Sequence, residues 1–148
     1  MSSHAEYTVL IVDDNTDLLA LMADSLRLLG HFNVVTADNG ASGLERYFEV
    51  RPDCVIVDIV MPGLDGYQLI HALRGDPESS GTPLVVLSAL VQERDQLAGL
   101  LCGADEYVMK PITPLQLVEV IRNVQNRDAE ERRRRQLALL DEGFALSE

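Results

Sequence analysis

Five polar residues in this sequence stand where chemistry could be done. Asp13 and Asp14 follow the apolar run 9–12, Asp58 follows 54–57, Ser88 follows 84–87, and Lys110 follows 107–109. Three carboxylates brought together repel one another and hold their protons to higher pH unless a cation offsets the charge. An all-oxygen donor set with few protein ligands suits Mg²⁺, which keeps several waters and shares phosphate oxygens. Beside such an ion, one carboxylate can attack phosphorus as a nucleophile. The Ser88 hydroxyl and the Lys110 ammonium would then bond the phosphoryl oxygens, which is positioning and charge stabilisation rather than proton transfer. Taken singly, an Asp pair reads as a solvated turn and a strand-ending Ser as a cap. Taken together, the five read as an aspartyl-phosphate site.

A parallel sheet is what would bring them together. The runs 9–12, 32–35, 54–57, 84–87 and 107–109 begin roughly 20–30 residues apart, the length of a strand–helix unit. All but the second are continuously apolar, as strands covered on both faces are; residues 32–36 are more broken and read as an edge strand. Helical patterns lie between the runs. The first places Leu18, Met22, Leu26 and Leu29 on one face and stops at Gly30. The second covers about 41–50, the third 67–74 and the fourth 93–102. The fifth opens with Thr113 as N-cap and Pro114 at its first position. Five such units predict a doubly wound α/β domain ending near residue 124, with helices on both faces. Ligands in these folds bind beyond the carboxyl ends of the strands, where all five residues fall.

Composition narrows the function further. Twelve cations against 24 acids give a net charge of −12, and only one cation, Lys110, is a lysine. Such a surface repels phosphate backbones, so direct nucleic-acid binding is not expected. Cys54 and Cys102 form no CxxC pair, and Cys54 reads as a small core residue of a reducing compartment. No apolar run approaches the ~20 residues of a membrane span, and the first seven residues lack a signal peptide's apolar stretch. A soluble, cytoplasmic protein is expected. His4, His31 and His71 share no motif and read as surface or packing residues.

Residues 127–148 read as an extended, charged C-terminal helix. Five arginines against six acids leave this segment at −1. The spacing offers Asp128–Arg132, Glu130–Arg134 and Glu131–Arg135 as acid-to-base pairs on a solvated helix, each worth a few tenths of a kcal/mol. Leu137, Leu140 and Phe144 form a small apolar stripe that either folds back on the domain or meets a partner. In the fifth pattern Leu117, Ile121 and Val124 fit a core stripe, leaving Leu115 and Val118 to a flanking face compatible with a homodimer.

The stretches "VLIVDDN" (9–15), "VIVDIVMPGLDGYQLI" (55–70), "VVLSA" (85–89) and "GADEYVMKPI" (103–112) carry a resemblance. Over about residues 6–126 the chain resembles a receiver domain of the bacterial two-component response regulators. The resemblance implies a flavodoxin-like five-stranded parallel sheet of order 2-1-3-4-5. It further implies that Asp58 accepts phosphate from a phosphohistidine on a sensor histidine kinase or phosphotransfer protein. Asp14 would ligate Mg²⁺ directly and Asp13 mainly through water, with the Val60 backbone carbonyl as a further oxygen. Lys110 would pair with the phosphoryl group, and the Lys110–Pro111 bond would be cis. Ser88 and Tyr107 would form the switch that remodels the face of the fourth and fifth helical patterns. Two residues beyond Asp58 and Ser88 stand apolar Val60 and Leu90 where polar residues are frequent, which predicts restricted water access and slow phosphate loss. Ile112 stands where an aromatic residue is frequent.

Other functions fit less well. A phosphohydrolase of the haloacid dehalogenase type would need a second Asp at position 60, and a flavin module would not place Asp13-Asp14-Asn15 against a phosphate. No Walker or GxGxxG sequence occurs. A receiver-like interaction module acting without phosphorylation is the remaining alternative. The full set of five residues argues against it. No helix-turn-helix pattern follows residue 126, so the chain reads as a stand-alone regulator or as the receiver piece of a longer one. The charged segment 127–148 favours the latter.

Overall fold

The computed structural model describes residues 6–61, 63, 65–89, 98 and 103–147, with the side chains of 139, 140 and 142–147 outside that description. Its strands are β1 (Thr8–Val12), β2 (Asn33–Ala37), β3 (Cys54–Val57), β4 (Leu84–Ser88) and β5 (Glu106–Met109). Its helices are α1 (Thr16–Gly30), α2 (Gly40–Val50), α3 (Gly66–Gly75), α4 (Pro114–Gln125) and α5 (Ala129–Ser147). The fourth helical pattern, 93–102, lies outside the described residues except Ala98, so the fifth pattern is α4. His4, Leu90 and Cys102 lie outside them too. Among the described residues no helix is long and apolar enough to cross a membrane.

The strands form one parallel sheet in the order β2-β1-β3-β4-β5, the order expected. Alternate residues of each strand serve two cores. Val9, Ile11, Ile56 and Val85 meet α1 and α4 on one face, while Leu10, Val12, Val55 and Val86 meet α2 and α3 on the other. Chain order reverses between β1 and β3, and the loops after these strands open on the same edge. Helices α1 to α4 each start with a side-chain cap: Asn15, Asn39, Asp65 and Thr113 accept the N–H groups of Leu18, Ser42, Gln68 and Gln116. Each cap fixes where a strand-to-helix loop ends, and so aims the residues just before it.

Four expectations are corrected. The buried stripe of α1 is Leu19, Met22, Ala23 and Leu26, while Leu29 is 47% exposed. Leu18, one position before that stripe, is partly buried against the same core. Helix α1 ends at Gly30 as expected, but the left-handed cap is His31, at φ 56°, rather than Gly30. In α4 Val118 is buried beside Leu117, because the helix sits in the corner between the sheet and α1 and needs the wider stripe; only Leu115 stays out. Strand β5 is half-buried, as the second sheet edge must be.

The tail departs furthest from its reading. Arg132 and Arg135 turn to Asp105 and Glu106 of the domain rather than to Asp128 and Glu131. Asp128 instead accepts the Glu131 N–H at the helix start. Arg132 keeps only 15% of its side chain exposed, so this face of α5 is not solvated. Leu137 is 57% exposed, and Leu140 and Phe144 lie outside the described side chains. The segment does fold back, but through its arginines.

Candidate functional site

The five polar residues meet at one edge. Asp13 continues β1, its N–H donating to the Ala37 carbonyl at 3.1 Å, and Asp58 continues β3, its N–H donating to the Val12 carbonyl at 2.9 Å. Each carboxylate is therefore mounted on the backbone of the neighbouring strand. The Lys110 N–H donates to the Ser88 carbonyl at 2.8 Å, which extends the β4–β5 ladder by one rung. The Lys110–Pro111 bond is cis.

The lysine reaches across to the acids. Its Nζ donates to Asp13 Oδ2 at 2.9 Å and to Asp58 Oδ2 at 3.2 Å. The second oxygen of Asp13 accepts the Asn15 N–H at 3.0 Å, and that of Asp58 accepts the Val60 N–H at 3.1 Å. Asp14 is exposed, and one oxygen from each of Asp13, Asp14 and Asp58 lies within 4.8 Å of the others. Ser88 is buried, Tyr107 half-buried and Val60 58% exposed.

Charge is out of balance here, with three carboxylates against one ammonium. Burial lifts the Asp58 pKa above the usual carboxylate range, and the neighbouring Asp13 adds to it. The Val60 N–H and Lys110 pull the other way without cancelling the rise. Burial also works against the Lys110 ammonium, but its hydrogen bond to Asp13 and the charges of Asp58 and Asp13 outweigh it, so its pKa lies above that of an isolated lysine. Hard oxygen donors grouped this closely, with a net charge of −2 after the lysine is counted, fit a small divalent cation.

Sequence reading passed over Gly66. A Cβ there would fall 2.4 Å from the Asp58 carbonyl oxygen and 2.6 Å from the Ile59 Cα. The first turn of α3 therefore lies directly on the Asp58–Ile59 peptide, and the Gly66 N–H donates to the Ile59 carbonyl at 3.1 Å. The dipeptide Asp65-Gly66 was the available signal: a cap followed by a residue with no side chain. Beside the site a cavity of about 310 Å³ is lined by Leu18, Met22, Leu87, Ala89, Lys110, Pro111 and Ile112.

Comparison with known proteins agrees with this geometry. The model of the response regulator receiver domain family matches residues 9–122. The chain is 42% identical over 119 residues to a probable transcriptional regulator, ycf27, of Guillardia theta, covering 80% of this chain and 45% of that protein. It is 46% identical over 110 residues to the transcriptional regulatory protein PrrA of Mycobacterium tuberculosis, covering 74% and 46% respectively. The chain thus spans about half the length of these curated relatives. Among solved structures, a putative response regulator from Chloroflexus aurantiacus superposes with a TM-score of 0.77 at 32% identity, covering 83% of this chain and all of the other. The chemotaxis protein CheY4 of Vibrio cholerae superposes with a TM-score of 0.76 at 28% identity, covering 81% and 99%. With a family match across most of its length and the same five-stranded architecture, this chain belongs to the receiver domains of response regulators, signalling modules of phosphorylation-dependent two-component systems.

Proposed function

We propose that the carboxylate cluster is a phosphoacceptor site, in which Asp58 takes a phosphoryl group from a phosphohistidine on a sensor kinase or phosphotransfer protein. The observation that carries this reading is the position of Lys110 Nζ, shared between Asp13 and Asp58 in a cluster short of positive charge. An Asp58 carboxylate oxygen attacks phosphorus, the P–N bond to the donor imidazole breaks, and that nitrogen leaves with the bond's electron pair. Asp13, Asp14 and Asp58 would hold Mg²⁺ with the Val60 carbonyl; when bound, the ion neutralises carboxylate charge and polarises phosphoryl oxygens. Lys110 places its ammonium at Asp58 Oδ2, where charge gathers during transfer. The Val60 N–H holds the other Asp58 oxygen and so fixes the rotation of the carboxylate.

Ser88 and Tyr107 are assigned the switch. The Ser88 hydroxyl turns to the phosphoryl group, Tyr107 fills the space released, and the face of the fourth and fifth helical patterns, the latter being α4, changes shape for output. The chain promotes its own phosphorylation and dephosphorylation rather than turning over a separate substrate. Residues 6–126 form the receiver unit, and 127–148 form a connector or C-terminal extension. The relatives named as transcriptional regulators suggest an output domain reached through that connector.

Incubation with Mg²⁺ and a small phosphodonor tests the site by intact mass. The expected gain is about 80 Da, the mass of one phosphoryl group, lost on removing Mg²⁺ and in Asp58→Asn. No gain in the unaltered chain, or an equal gain in Asp58→Asn, would overturn the reading and leave the unphosphorylated interaction module.

A further inference from the structure

At the far end of the sheet from this cluster, two adjacent acids are bound by four arginines. Asp105, with 1% of its side chain exposed, accepts Arg132 Nε at 2.8 Å and Nη2 at 3.0 Å, and Arg74 Nη2 at 3.3 Å. Glu106 accepts Arg127 at 2.8 Å and Arg135 at 2.9 Å through one oxygen, Oε1. Arg74 is part of the body: it extends from α3 to the Gly103 and Thr82 carbonyls. The other three belong to α5 or to the residues leading into it.

Helix α5 therefore meets the body through its charged face. An exposed pair four residues apart on a helix contributes a few tenths of a kcal/mol. A two-pronged arginine–carboxylate pair shielded from water holds geometry far better, because both bonds must break together. Arg132 adds a third bond, from Nη1 to the Gly81 carbonyl at 2.8 Å. The Gln136 amide, one turn on, reaches Asp105 Oδ1 at 3.2 Å.

We infer that Asp105 and Glu106 form a docking site for this chain's own α5, an arginine strap closed over the amino-terminal rim of the sheet. The two carboxylates immediately precede Tyr107, on the strand that leads to Lys110. The anchor of the strap is thus the entry to β5, and a shift of that strand moves the anchor with it. The docking site itself stands independently of the phosphoryl reading.

Hydrogen exchange of the α5 amides in the whole chain tests the strap. Arg132→Gln with Arg135→Gln should quicken exchange over 129–138 by about tenfold or more while the sheet amides stay unchanged. Glutamine matches arginine closely as a helix former, so lost helix propensity does not explain such a change. Arg133→Gln with Arg134→Gln, at exposed positions of the same helix, should leave exchange unaltered. In a cycle of Glu106→Gln and Arg135→Gln, the second change should add little once the first is made. Equal effects of the two arginine pairs, additive effects in the cycle, or protection that falls on dilution would each overturn the proposal, the last by assigning the contact to a second copy.

Discussion

At the carboxyl ends of the strands three carboxylates share Lys110, whereas at the amino ends Asp105 and Glu106 share four arginines. The two ends use the same kind of group for opposite purposes. At the carboxyl ends, burial pushes the Asp58 pKa up and the charge of Asp13 adds to it, so the cluster gains by taking up another positive charge. Where cations outnumber acids, each carboxylate is already bonded by two guanidinium groups and has little to gain from a further one. A short supply of counter-charge leaves a cluster open to a further cation; a surplus makes a fastening.

The comparison can be broken at its fastened end first. Asp105→Ala should destabilise the fold by about 3 kcal/mol or more, read as the midpoint of urea unfolding, because it strands Arg74 and Arg132 against a shielded rim. It also leaves the Leu84 N–H, now 2.9 Å from Asp105 Oδ2, without that acceptor. A loss smaller than that of an exposed ion pair would show the rim to be solvated.

Mg²⁺ should sharpen the contrast by a smaller amount. At about ten times its dissociation constant the ion should stabilise the chain by roughly 1.4 kcal/mol in the same titration. Asp13→Asn with Asp14→Asn should abolish the gain, while Arg132→Gln should not touch it. A gain that survives the aspartate changes would move the ion elsewhere.

The smallest expected effect is alkaline. Cys54 and Tyr7 lie at the amino end, and burial pushes the thiol up to about 12 and the Tyr7 phenol above its usual 10.0. A pKa that is higher in the folded state gives stability that is complete below the unfolded value and is lost as pH rises. From pH 8 to 9.5 the unfolded thiol ionises first, and stability should fall by about 1 kcal/mol from Cys54 alone. Cys54→Ala should flatten that slope. A slope that does not change would mean that the thiol ionises in the folded protein as well.

How much of this was legible depended on the range of the interaction. Asp13, Asp58 and Lys110 could be placed from sequence because a parallel strand delivers its last residue to a known edge, whatever lies between. Thr113 and Pro114 were legible because a helix start is a local event. Val118 was not, since the width of a buried stripe depends on the angle at which α1 and the sheet receive α4. The arginine strap was the least visible feature. Asp105 and Arg132 are 27 residues apart, and no periodicity marks a contact between a strand entry and a later helix. Local pairing instead suggested Asp128 and Glu131 as the partners, and the buried carboxylates won.

Gly66 also sets how this site can vary over mutational time. On the proposed function, substitutions at Asp58 should sort by chemistry, because phosphoryl acceptance asks for a nucleophilic oxygen. At Gly66 they should fail alike, alanine with aspartate and valine, because any Cβ meets the backbone of the residue that carries that oxygen. The Asp58 backbone is thus guarded by a purely steric filter that does not distinguish one side chain from another. Position 66, packed on the Asp58–Ile59 backbone, has room for no side chain at all.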